Sequence, residues 1–323
     1  MKKIFLYIII AILSFSTISC GKSETVKDGS EGKAVVEPQS TVASAPIALP
    51  VKDPAGNDIV IPKDINRIIS MAPSITETII DLGLGDKIIA IDKNAKGKKG
   101  LTEGIIEFDM MAPDIEKMMS LKPDIVLTSG MSDIDGNKEP FKALKEAGVC
   151  VAVIPTSNSI EKIKADIMFI ADATGTNLKG RGIVENMEAE IDKIAQIGKS
   201  ISEKKTVYFE IAASPNMYSF GNGVFLNEIL EIVGAKNIFA DKSSWISVSE
   251  EAVVSTNPDV ILSNVNYVKD PVSEIKSRKG WESIKAVKNG DVYYVDNSAS
   301  SLPNENIIKA MQEIAKAIYP DKY

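Results

Sequence analysis

Two spacings of apolar residues alternate along the chain from about Val51 onward. Short runs that are apolar almost throughout, Ile68-Ile69-Ser70-Met71, Ile88-Ile89-Ala90-Ile91, Ile125-Val126-Leu127 and the stretch 149–154, read as strands buried on both faces. Between them, helical segments are expected at 74–82, 115–121 and 142–147, with Gly83 ending the first. The order returns after residue 204. Strands are expected at 206–211, 260–262 and 292–295, and helices at 225–233 (ended by Gly234), 250–255 and 304–318. Buried strands that alternate with helices require a parallel sheet covered on both faces. Between the halves, Ile183, Met187, Ile191 and Ile194 recur at helical spacing, with acids and lysines opposite. Gly175, Gly180 and Gly182 weaken the start of that segment, so regular helix is expected only from about Ile183. The predicted fold class is α/β, with two Rossmann-like lobes having parallel-sheet cores, joined by one long backbone helix. The lobes are placed at 51–173 and 204–323 and the helix at 174–203.

Two local echoes point to duplicated lobes. Pro123-Asp124-Ile125-Val126-Leu127-Thr128 matches Pro258-Asp259-Val260-Ile261-Leu262-Ser263, and Glu116 and Glu251 stand at the same offset before the two prolines. Glu77 precedes Gly83 as Glu228 precedes Gly234. The alternative is that Pro-Asp before a buried strand is simply a common helix-to-strand turn.

The N-terminus adds an address. Lys2 and Lys3 precede an apolar run over 4–18 that is too short to span a bilayer, so 1–19 reads as a signal peptide. Cys20, followed by Gly21 and Lys22, has the form of a lipidation site, although Thr17 stands where the usual pattern has leucine. Residues 20–50 lack a sustained period and read as a lipidated, flexible tether. The second cysteine, Cys150, lies in an apolar run and reads as a buried strand thiol. The net charge of -7 argues against nucleic acid as a partner. With no histidine, Ser-His-Asp and Cys-His catalysis and histidine-based metal sites are excluded. No catalytic residue and no resident cofactor is expected.

From Val51 to the C-terminus the sequence resembles the helical-backbone class of ABC importer binding proteins, which take up iron–siderophore complexes, haem and cobalamin. The resemblance rests on the segment 67–77 (RIISMAPSITE), on Leu121-Lys122-Pro123-Asp124-Ile125-Val126, and on four segments of the second half. These are 226–238 (LNEILEIVGAKNI), Ser249-Glu250-Glu251, Asn257-Pro258-Asp259 and 281–295 (WESIKAVKNGDVYYV). It implies a ligand held between the lobes by loops at strand ends, which is also where open α/β sheets place ligands. The candidate contacts are Ser74, Asp92, Ser129, Tyr218, Trp245, Asn264 and Asp296. It implies further that Glu77 and Glu251 dock on arginines of the importer's membrane subunits; the single long helix between the lobes limits bending, so little closure is expected on capture. The partners implied are the permease with its ATPase, a small ligand (an iron chelate, corrinoid or haem), and the membrane through the lipid. The expected location is outside the cell membrane. One departure concerns Ser301-Leu302-Pro303, where related sequences carry Ser-Arg-Pro; it weakens the case for a highly anionic siderophore.

Two other readings stay open on the same fold. One is a bare metal-ion receptor using Asp109, Asp133, Asp135 or Asp296, and the other is a structural lipoprotein without a transport role.

Overall fold

The protein is described by a computed structural model covering residues 48–132 and 139–323. Cys20 and the signal and tether readings, like Asp133 and Asp135, lie outside the described residues.

The first lobe runs β1 (Ile68–Met71), α1 (Pro73–Asp81), β2 (Ile88–Asp92), β3 (Ile106–Phe108), α2 (Ile115–Ser120), β4 (Ile125–Thr128), α3 (Lys142–Glu146) and β5 (Cys150–Val153). Its five strands are all parallel, in the order β3-β2-β1-β4-β5. Then follow α4 (Ile160–Ala173) and the 24-residue α5 (Asn177–Ser200). The second lobe comprises β6 (Thr206–Glu210), β7 (Tyr218–Phe220), α6 (Phe225–Ile232), β8 (Lys236–Asn237), β9 (Trp245–Ser247), α7 (Glu250–Thr256), β10 (Val260–Ser263), α8 (Pro271–Lys276), α9 (Lys285–Asn289), β11 (Val292–Tyr294), α10 (Asn297–Ser301) and α11 (Ile307–Ile318). Its parallel sheet has the order β11-β10-β6-β8, and β7 and β9 form a separate antiparallel ribbon. The central strands β1, β4 and β10 are buried at every position, as their apolar runs require.

The two lobes repeat at the level of single hydrogen bonds. Asp124 Oδ2 accepts from the backbone N–H of Asn66 and Arg67, fixing the start of β1 beside β4. Asp259 Oδ2 accepts from the N–H and the hydroxyl of Thr206, fixing the start of β6 beside β10. Lys285 and these donors hold the Asp259 carboxyl down at about 2 despite partial burial. The Pro-Asp echo is therefore a strand-register device used twice. Gly83 and Gly234 both take positive φ just beyond α1 and α6, where a side chain would be strained.

The backbone helix starts six residues earlier than its glycines predict. Gly180 is buried against α4, where a Cβ would lie 2.4 Å from that of Ala171. Close packing of the two helices thus outweighs the propensity cost of glycine. At the other end Gly198 meets the Ile232 carbonyl of α6 in the same way, at 2.0 Å from an added Cβ.

The start of α4 belongs to the core of the second lobe: Ile160, Ile163 and Ile167 pack with Leu226, Ile229 and Leu262. Cys150 is free and buried in β5, and burial pushes its thiol up to about 11, so it stays protonated.

Candidate functional site

In a parallel sheet the loops at the C-terminal strand edges are free to meet a ligand. In the first lobe these loops wall a cavity of ≈ 230 Å³. Ser74 comes from the turn into α1, and Ser129 and Met131 follow β4. The segment 154–157 follows β5, and α4 closes one side with Asp166. The second lobe supplies Ser301, Leu302 and Pro303, so both lobes line the space. Of the candidates named from the sequence, Ser74 and Ser129 are brought together here.

Asp166 was not among the residues named from the sequence. Its Oδ2 accepts a 2.6 Å hydrogen bond from Ser157, and burial pushes its carboxyl up to about 6. Lys162, exposed one turn earlier on α4, pulls in the opposite direction. The rest of the wall is largely apolar, with Ile154, Ile167, Met110 and Leu302 prominent.

Tyr218 and Trp245 lie outside that cavity, on one face of the β7–β9 ribbon. Their register pairs Tyr218 with Ser247 and Phe220 with Trp245, and alternation puts both rings on the same side. Trp245 stands edge-on to buried Phe220 and remains 47% exposed, and Tyr218 is 44% exposed. Tyr267, in the loop after β10, and Tyr294, the last residue of β11, are exposed as well. Tyr267 is pinned through its hydroxyl, which accepts from the Ala213 N–H. The second lobe therefore presents four exposed aromatic side chains near the C-terminal edge of its sheet, of which the sequence pattern had picked out two.

Three candidates take structural places. Asp92 is fully buried; it accepts from the N–H and the side-chain amide of Asn94 and from the Met110 N–H, which fixes the loop after β2. It does not line the cavity, because its oxygens are spent inside its own lobe. Asp296 caps α10 through the Ala299 N–H and pairs with Lys309 at 2.6 Å. Asn264 is buried behind the loop after β10, its amide donating to Ser300 and Ser301 Oγ. It braces the residue that lines the cavity rather than lining it.

Glu77 departs most from expectation. A docking carboxylate must be free and exposed, yet this side chain is 13% exposed. It pairs with Lys98 and accepts from Asn304 and Asn306 of the other lobe. Glu228, its counterpart on α6, is engaged too: it accepts from the N–H of Ile160 at the start of α4, which packs in the core of the second lobe. Of the Glu77/Glu228 echo, Glu77 makes the contact between lobes. Nearby, Glu305 accepts from Thr78, and burial with the neighbouring Asp81 carboxyl pushes it up to about 8. Glu251 is exposed in the first turn of α7. Its equivalent in the first lobe is Glu116, exposed in the first turn of α2, a helix capped by Asp114 as α7 is by Ser249. The matching offset before Pro123 and Pro258 was the signal for that pair.

A larger groove of ≈ 730 Å³ flanks α4, α5 and α6. There Lys164 pairs with Glu161 and Glu188, and the groove follows helix sides rather than strand ends. The smaller cavity between the lobes is therefore the better ligand site. Among the described residues no group of acids, cysteines or histidines is arranged to hold a metal ion, and Asp109 is engaged by Lys93.

Comparison with known proteins bears on the family and the fold. Residues 68–299 match the family model described as periplasmic binding protein. A Bacillus subtilis protein named as an ABC transporter substrate-binding lipoprotein is 33% identical over 275 residues, spanning 84% of this chain and 86% of its own. The crystal structure of a possible iron-binding, periplasmic solute-binding protein from Staphylococcus epidermidis aligns with a TM-score of 0.69 at 30% identity. That alignment covers 80% of this chain and 100% of the other. The periplasmic vitamin B12 binding protein of Vibrio cholerae aligns with a TM-score of 0.67 over 79% of this chain and 97% of its own. At 20% identity the last likeness is one of fold.

Proposed function

The chain belongs to the periplasmic binding protein family and is a substrate-binding component of an ABC transporter rather than an enzyme, and from that premise we propose that it captures a metal chelate between its lobes. The chelate is an iron–siderophore complex or a cobalamin-like corrinoid, in keeping with what the Staphylococcus and Vibrio relatives are named for. The observation that carries this reading is a single cavity walled by strand-end loops of the first lobe and by Ser301 to Pro303 of the second. The bare-ion alternative has less support, since Asp109 and Asp296 are already paired with lysines.

Capture and delivery use different faces. Ser74 and Ser129 offer hydroxyls to the ligand, and Tyr218 and Trp245 offer apolar faces with a polar edge, suited to a broad chelate. Glu116 and Glu251, one on each lobe and both exposed, orient the protein on basic residues of the permease. The ties of Glu77 to Asn304 and Asn306 between the lobes favour a frame that closes little when ligand enters. Export and lipid attachment at Cys20 would hold the protein at the outer side of the membrane.

The test is titration of the full chain with ferric siderophores, haem and cyanocobalamin, followed by absorbance and tryptophan fluorescence. Saturable binding of one of them, accompanied by a change in Trp245 emission, is the expected result. Binding of free iron(III), manganese(II) or zinc(II) with no chelate bound would point instead to the metal-ion receptor.

A further inference from the structure

The cavity between the lobes has an unusual charge balance for a site that takes up metal complexes. Asp166 is the one ionisable side chain among its described lining residues. No arginine reaches it, and all three in the sequence are accounted for elsewhere. Arg67 binds the carbonyl of Leu121 at the opposite edge of the first sheet, Arg181 is exposed on α5, and Arg278 is locked between Glu210 and Glu274. Among the described residues, Lys93 is engaged by Asp109 and Lys98 by Glu77 and Ser298, and exposed Lys162, one turn before Asp166 on α4, is the lysine whose charge acts on that carboxyl. A polyanionic ligand would meet a carboxylate offset only by Lys162, which does not line the cavity, at a cost that grows as the site dehydrates.

The walls say what would fit. The volume of ≈ 230 Å³ is below the roughly 300–1,000 Å³ that encloses a whole drug-sized ligand, so the cavity takes a part of one. That part is bounded by Ile154, Ile167, Ile170, Met110 and Leu302, with a carboxylate held in place by Ser157. An aliphatic stem ending in an ammonium group satisfies both features: its methylenes cover apolar wall and its N–H donors meet the carboxylate.

Building on the chelate-capture reading, we propose that this protein selects metal chelates bearing an alkylammonium arm, with Asp166 as the specificity-determining residue. Chelates of the same core without the free amine bind less well, and anionic chelates such as ferric citrate are rejected. Below about pH 6 protonation of Asp166 removes the discrimination, because the carboxyl then carries no charge to pair.

The experiment compares ferrioxamine B, which carries a free amine, with its N-acetylated form, whose metal-binding core is identical. Ferric citrate and cyanocobalamin are run alongside on the full wild-type chain, by fluorescence titration. The expected result at pH 7.5 is a preference for the free amine of roughly tenfold or more, the scale of a charge-assisted hydrogen bond. Asp166→Asn should abolish that preference, as should titration at pH 5 with the wild-type chain, which needs no variant to fold. Equal binding of the two ferrioxamine forms, or a preference that survives Asp166→Asn, overturns the proposal. Tight binding of ferric citrate or cyanocobalamin alone overturns it while leaving chelate capture standing. If none of the four binds, capture and selectivity fail together.

Discussion

Replacing Glu305 with glutamine should stabilise the protein at pH 8 and leave it unchanged at pH 5. In the native protein this carboxyl accepts from Thr78 of α1 and lies beside Asp81, largely out of water. Both burial and the neighbouring acid disfavour its ionised form, moving it from the usual 4.5 to about 8. The sign follows from linkage. Below 4.5 the group is protonated whether the chain is folded or not, and no penalty arises. As pH rises towards 8, the unfolded chain releases a proton that the folded chain retains, so stability falls by up to about 1.4 kcal/mol per unit. Over the whole interval, and allowing for rearrangement around the exposed Asp81, the loss is about 2–5 kcal/mol. Glutamine has the shape of the protonated acid: its oxygen accepts from Thr78 and its amide donates to Asp81. Thermal melts from pH 5 to 9, read by circular dichroism, should therefore diverge, with the variant several degrees more stable at the alkaline end. The comparison with wild type cancels other groups titrating in the window, Asp166 among them. Parallel pH profiles for the two proteins would refute the reasoning.

Breaking the buried pair of Arg278 and Glu210, with its bonds of 2.6 and 2.9 Å, should be costly, since removing Glu210 leaves the buried guanidinium with Glu274 alone to offset it. Glu210→Ala is expected to lose about 3–5 kcal/mol in urea unfolding; a loss below about 1 kcal/mol would mean that the pair contributes little. Gly198→Ala should destabilise by about 1–3 kcal/mol, because the new methyl meets a backbone carbonyl rather than a movable side chain. A neutral effect in the same assay would show that α5 and α6 can separate freely. Trp245→Ala should weaken ligand affinity by about 1–3 kcal/mol, while buried Trp281, stacked under Arg278, should not respond to ligand. Glu116→Ala and Glu251→Ala should reduce uptake by whole cells without altering affinity in solution, and Glu77→Ala should lower stability. Normal uptake in the double Glu116/Glu251 variant would remove the docking assignment.

The two-sheet architecture was legible because buried parallel strands write themselves as unbroken apolar runs. Asp124 and Asp259 then repeat a register device that a one-residue shift would destroy. Elements with mixed faces were harder. β3 is three residues long and includes Glu107, and the β7–β9 ribbon leaves Tyr218 and Trp245 facing out, so neither gives a buried-strand signal. The helix α4 could have been read from the Ser159 cap and from Ile160, Ile163, Ile167 and Ile170 at helical spacing, and with it Asp166. The resemblance pointed to Glu77 as a docking residue, but a sequence match cannot tell an exposed carboxylate from one turned into a lobe contact, as this one is. Asp92 misled for a similar reason, since a residue at a strand end serves the loop as readily as a ligand.

Hydrogen exchange of the full chain with and without a bound ferric chelate tests the central claim most directly. The account predicts protection gathered on both sides of the cavity, at 72–78, 129–131, 154–157 and 301–303, and on the aromatic ribbon at 218–220 and 245–247. Protection confined to the groove along α4, α5 and α6, or to a single lobe, would contradict it.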